Sequence, residues 1–262
     1  MPTTYTHHRF GSQCLETLPP ETAAAVRRFR SLYDTGVHGP DIFFYYHPLL
    51  PNPVMAYGSA LHRQPARRFF ENAAPVWRSH PDREAMLAYL LGFLTHFTLD
   101  SACHGYVNAA AAALGVTHNR IEAVFDAHLM YEDGLQPSRV LRGEALCPSA
   151  ENAAVISRFF SKSERTVLSA CRGQVRIMRL LHSPGAGKKR RLRAAIRALH
   201  LPGGLDDLFI DDEIPPELTD AMSTLDGLMA GALAEFPGLA DSLMRFLNGE
   251  GSLPSRFNRD FE

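Results

Sequence analysis

The sequence predicts an all-α protein. Apolar residues recur at the helical period along most of the chain, no stretch alternates as a half-buried strand would, and helix-start signals stand where the periodic runs begin. The first run, residues 20–34, opens on Pro19-Pro20-Glu21, which puts a proline in the first turn and an acidic side chain at the positive end of the dipole. Runs at 65–78 and 82–104 follow, the second opened by Pro81-Asp82-Arg83-Glu84. Further helices are expected at 118–133, 151–181, 188–200, 215–234 and 237–248, with a second Pro-Pro-Glu at 215–217. Two connections are expected to be irregular. Residues 36–63 combine prolines and aromatics with Asp41, His47 and His62, and long ordered segments of this kind are commonly functional. Residues 200–217 are acidic and read as a surface connection.

A chain of 262 residues, 45% of them apolar, can bury one sizeable core, and no Gly/Ser/Pro-rich linker divides it. A single domain over residues 1–262 is expected. With 27 Lys+Arg against 28 Asp+Glu the formal charge is -1, so no global field favours nucleic acid or an anionic membrane. The start of the chain has no apolar run of the length a secretory signal needs, which predicts a cytoplasmic protein. The most apolar segment, residues 87–99, is shorter than the ~20 residues that span a bilayer. Cys14, Cys103, Cys147 and Cys171 show no C-x-x-C spacing, so packed, reduced thiols are expected rather than disulfides or a zinc knuckle.

Chemistry is concentrated in YLLGFLTHFTLDSACHGYV, residues 89–107. His96, Asp100 and His104 follow one another at intervals of four, so on a helix they form one stripe with ~6 Å of rise between neighbours. The next helix repeats the pattern with His118 and Glu122, and Asp126 lies one turn further. One histidine on an apolar face is ordinarily a satisfied core residue; a repeated His/carboxylate stripe is not. Buried carboxylates need a positive partner, few arginines are near, and mixed His/carboxylate ligands suit zinc better than magnesium or calcium. Glu-x-x-His pairs of a di-iron bundle, a His-Asp dipeptide and H-E-x-x-H are all absent. H-x-x-x-D-x-x-x-H followed by H-x-x-x-E remains, a multinuclear zinc pattern.

TYTHHRFG at the start, GPDIFFYY at 39–46, YGSALH at 57–62, the segment 89–108 and HNRIE at 118–122 together resemble the bacterial zinc-dependent phospholipase C family. That family shares its superfold with the single-strand-specific zinc nucleases. The resemblance covers the N-terminal half, to about residue 130, and residues 131–262 read as additional helices of the same domain. It implies a multi-helix phosphodiesterase with two or three zinc ions in a cleft. By motif position, Asp41 and His62 join His96 and Asp100 around one metal, with Asp100 bridging to another; His104, His118 and Glu122 hold a further ion, and His7 serves the third. In the secreted members the free amino terminus helps hold that third ion. Here MPTTYT precedes His7, so the third site is expected to be the weakest.

The implied reaction is hydrolysis of a phosphate ester by metal-activated water, with Asp41 as the group that takes the proton. A phospholipid is the expected substrate, and peripheral membrane contact is compatible with it. Alternatives are a zinc nuclease of the same superfold and a non-catalytic, metal-stabilised scaffold. The aromatics Phe43, Phe44, Tyr45 and Tyr46 line a substrate pocket or fill the core beneath the loop. Asp126 either orients a metal-bound histidine or is a helix-surface charge. PGAGKKRRLR, residues 184–193, lacks the spacing of a P-loop and reads as a solvated basic helix start.

Overall fold

A computed structural model describes residues 4–198 and 206–262, and among them there are helices and no strands. The centre is the 32-residue helix Arg83–Leu114, here α6 in chain order. Asp82 caps its start, accepting from the Ala85 N–H at 3.1 Å, and Gly115 ends it at φ 65°. It runs ten residues past the expected end at His104 because Ala109–Ala113 supply the strongest helix former in succession. By length and composition α6 could cross a membrane, being longer than the apolar run expected, but 83% of its most apolar window is buried in the protein. It is a core helix.

Around α6 stand α1 (Thr4–Glu16), α2 (Pro20–Arg28), α3 (Arg30–Gly36), α4 (Pro53–His62), α5 (Ala66–Ser79) and α7 (His118–Glu132). Then come α8 (Ala150–Ser157), α9 (Glu164–Leu181), α10 (Ala186–Ala198) and α11 (Thr219–Asn248). The helices α3, α11, α1 and α2 pack on α6. Closest is α3, because Gly36 and Gly92 face each other: a Cβ on Gly36 would lie 2.5 Å from the Tyr89 carbonyl oxygen, and one on Gly92 2.3 Å from that of Tyr33. Phe69, Phe70, Phe93, Phe97 and Phe257 fill the space between α5, α6 and the C-terminal segment in edge-on and stacked contacts.

Several boundaries differ from expectation. α1 is a helix that the periodicity of the sequence does not predict. The 20–34 run breaks at Phe29 (φ -113°), and 151–181 breaks after Ser157 so that Phe160 can enter the core, Ser163 then capping α9. The expected gap near Pro237 is absent, since α11 continues through it with Phe236, Leu239 and Ala240 buried; packing outweighs the lost backbone bond. Within 36–63, Gly39–Tyr45 is a 3-10 helix and Pro53–His62 is α-helical, leaving a short turn between them. Residues 1–3, the start of the segment expected to stand in for a free amino terminus, lie outside the described residues. So do 199–205, the end of the expected 188–200 helix and the beginning of the acidic connection.

Candidate metal centre

Every site residue expected from the sequence converges at one place. α1 brings His7, the 3-10 helix Asp41, α4 His62, α6 the stripe His96, Asp100 and His104, and α7 His118 and Glu122. Three groups form, each with ligand atoms within 4.8 Å of one another: His7–His96–Asp100, Asp41–His62–His96 and His104–His118–Glu122. Nε2 of His7 and of His96 lie 3.2 and 3.0 Å from opposite Asp100 oxygens, while His62 Nε2 is 3.0 Å from Asp41. His104 Nε2 links the groups, 3.5 Å from Asp100 and 3.3 Å from Glu122, which is itself 3.0 Å from His118 Nε2. Asp100 thus stands between the groups, as a bridging carboxylate would.

Backbone and neighbouring amides fix which ring nitrogen faces inward. His62 Nδ1–H donates to the Gly58 carbonyl at 2.9 Å, and His118 Nδ1–H to Asn108 Oδ1 at 2.7 Å, leaving each Nε2 for a ligand. Asn108 continues the four-residue stripe of α6, and that spacing is its signal in the sequence. Gly39, at φ 47°, lies against the His96 ring, where a Cβ would come within 2.2 Å of Cδ2. Only glycine fits. His38, unassigned from the sequence, is also buried, edge-on to His7 at 6.3 Å, and burial keeps its imidazole neutral.

Two expectations are corrected. Asp126 neither orients a ligand nor sits on the surface: fully buried, it accepts from the Thr6 N–H at 2.9 Å and the Thr6 hydroxyl at 2.7 Å, with Arg142 3.8 Å away. It caps α1 from another helix, and burial pushes its carboxyl up to about 6. The basic segment is only partly solvated. Lys188 caps the end of α9 through the Arg179 and His182 carbonyls, and Lys189 and Arg193 hold Asp211. Of the loop aromatics, Phe43 fills the core, whereas Phe44 lies against His62 with ring centroids 5.3 Å apart.

The donor set fits a cation. His96 Nε2 and Asp100 Oδ2 face each other at 3.0 Å, yet neither makes a hydrogen bond, and both are buried. Such a pair is costly unless both atoms share a positive ion. Burial alone would raise Asp100, but His104, His96 and His7 hold it well below the carboxylate range. Burial would likewise lower His104, but Asp100 and Glu122 push it up to about 9. One imidazolium is therefore the counter-charge for two buried carboxylates. On the inner side, His7, Asp100, His104 and Glu122 line a cavity of about 20 Å³, the size of one small occupant. On the outer side, Asp41, Phe44, His62, Arg63, His104 and His118 line an open cleft of about 310 Å³.

An all-helical fold with clustered imidazoles and carboxylates at the base of an open cleft defines a class of protein with groups able to hold metal ions. Comparison with known families gives the particular one: the sequence profile described as zinc dependent phospholipase C matches residues 6–173, well over half of the chain and all eight cluster residues. The chain belongs to the zinc-dependent phospholipase C family. No curated protein and no solved structure matches it significantly.

Proposed function

We propose that this protein hydrolyses a phosphodiester, with a phospholipid as substrate and zinc held by His7, Asp41, His62, His96, Asp100, His104, His118 and Glu122. The observation that carries the reading is the position of Asp41, His62, His104 and His118, which belong to the cluster and also line the open cleft. A phosphate entering the cleft meets ligand-bearing side chains directly, which a scaffold with lost substrate access would not offer. Zinc held there supplies a Lewis acid for phosphate oxygens and makes a water acidic near neutral pH.

The chain's own groups do the rest. Burial alone would raise the carboxyl of Asp41 at the cleft wall, and His62 and His96 beside it act in the opposite direction, favouring its ionised form. An ionised carboxylate facing the cleft is suited to take the proton of the attacking water. Arg63 on the same cleft offers a guanidinium to a phosphate oxygen. Contact with a lipid surface is supported by Leu49 and Leu50, which stand 59% and 73% exposed in the turn before α4.

Asp100→Asn tests the reading. Replacing a carboxylate that stands between two groups with a neutral amide should abolish hydrolysis of an activated diester and lower bound zinc, while circular dichroism stays helical. Parental turnover in that variant would make Asp100 an ordinary helix residue. Assays on phospholipid, on single-stranded nucleic acid and with chelator separate lipase, nuclease and scaffold.

A further inference from the structure

His96 is the one member of the cluster shared by two ligand groups, yet neither of its ring nitrogens makes a hydrogen bond. The orientation of His62 is set by the Gly58 carbonyl and that of His118 by Asn108. For His96, whose Nε2 faces Asp100 at 3.0 Å without a hydrogen bond, the orientation is left to packing. One neighbour is Gly39, against the ring; another is His7, stacked on it with centroids 4.6 Å apart. A third is Phe261, near the end of the chain and far outside the family match, with its centroid 5.7 Å from His96 and 5.6 Å from His62.

Phe261 does not reach this place loosely. Residues 253–262 are fastened to α5 and its start: Arg67 donates to the Leu253 carbonyl at 2.6 Å and to Asn258 Oδ1 at 2.5 Å, and Ala66 N–H to the Arg259 carbonyl at 2.9 Å. Phe257 is fully buried between Phe70 and Phe97. Phe261 then donates its N–H to the His62 carbonyl at 3.0 Å, and its ring, 1% exposed, closes on Phe93, Phe97 and the two imidazoles. The next residue, Glu262, lines the outer cleft.

We propose that Phe261 is a positioning residue of the metal centre: it holds the His96 imidazole in its ligand orientation where hydrogen bonds do not, and braces the ring of His62 against it. The C-terminal segment is then a wall of the active site rather than a tail. This inference rests on the zinc reading above. Groups that orient metal-bound histidines are ordinarily worth 10- to 100-fold in metal affinity, and an aromatic ring that fixes rotamers acts by the same route.

The test is zinc affinity by chelator competition, together with the visible spectrum of the cobalt-substituted protein, for the parent, Phe261→Ala and Phe261→Leu. In Phe261→Ala one ion, that of His104–His118–Glu122, should keep its affinity while the ion served by His62 and His96 weakens at least about tenfold and its cobalt band shifts. Phe261→Leu, which refills most of the space and so keeps the test open should alanine disturb folding, should shift the same band by a smaller amount. Unchanged affinity and spectrum in both variants, or equal weakening of all ions, overturns the proposal. Failure of the parent itself to bind zinc would sink the zinc reading, which is a separate outcome.

Discussion

His104 shows how single residues set the behaviour of the centre. Buried beside Asp100 and Glu122, it holds its proton to about pH 9, although desolvation alone would remove it. A ligating imidazole must be neutral, so zinc has to displace that proton. The sign follows: the raised pKa keeps His104 charged through neutral pH, and apparent zinc affinity falls as pH falls. Between roughly pH 6 and pH 8 the affinity should rise by up to about tenfold per unit for each proton displaced. Calorimetry in two buffers of different ionisation enthalpy reads the released proton directly. An affinity flat across this range would mean that His104 is already neutral or is not a ligand. His96, held neutral chiefly by burial, should contribute no such release.

At the scale of elements, legibility depended on where each helix finds its cap. α6 carries its own start, Asp82, and its ligands repeat every four residues, so both helix and stripe could be read from sequence. α1 could not. Its N-terminal groups are satisfied by Asp126, more than a hundred residues away, and no local pattern announces such a partner. Asp126→Ala should therefore cost about 3 kcal/mol, since it removes the buried acceptor for the start of α1 and the carboxylate 3.8 Å from Arg142, and should weaken the ion served by His7. Thermal melts with and without zinc measure both. The turn before α4 is rigid for a local reason: Asn52 donates to the Tyr46 carbonyl at 2.9 Å and the Leu50 carbonyl at 3.1 Å while its oxygen caps α4. It presents Leu49 and Leu50 outward at little entropic cost. Leu49→Ser with Leu50→Ser should reduce partitioning to phospholipid vesicles by about tenfold or more, with turnover of a small soluble diester unchanged. Equal binding by both proteins would leave those leucines without a role at a lipid surface.

For the molecule as a whole, the ligands matter as a cross-link. They run from His7 to Glu122 and come from five separate elements: α1, the 3-10 helix and α7 pack on α6, and α4 packs on the 3-10 helix. The sequence displayed the clustered histidines and carboxylates because their residue types and spacing are chemically unusual. It concealed the contribution of the last third, since Phe261 is one aromatic among 16 phenylalanines until the fold brings it to His96. An ion that joins these elements binds the native state alone, so at a thousand times its dissociation constant it adds about 4 kcal/mol, roughly 10 °C in the melting temperature of a chain this size. The loss on chelation should come in steps. The groups His7–His96–Asp100 and Asp41–His62–His96 both call on His96, and the nitrogen that faces them can serve one ion. When His96 goes to Asp41 and His62, which line the cleft, the ion beside His7 keeps only His7 and a share of Asp100. Mild chelation should remove that ion first with a small drop in melting temperature, and strong chelation the other two with a large one. His7→Ala should erase the first step and leave the second intact. A single step, indifferent to His7→Ala, would leave His7 packed against His96 as a neighbour and reduce the centre to two metals.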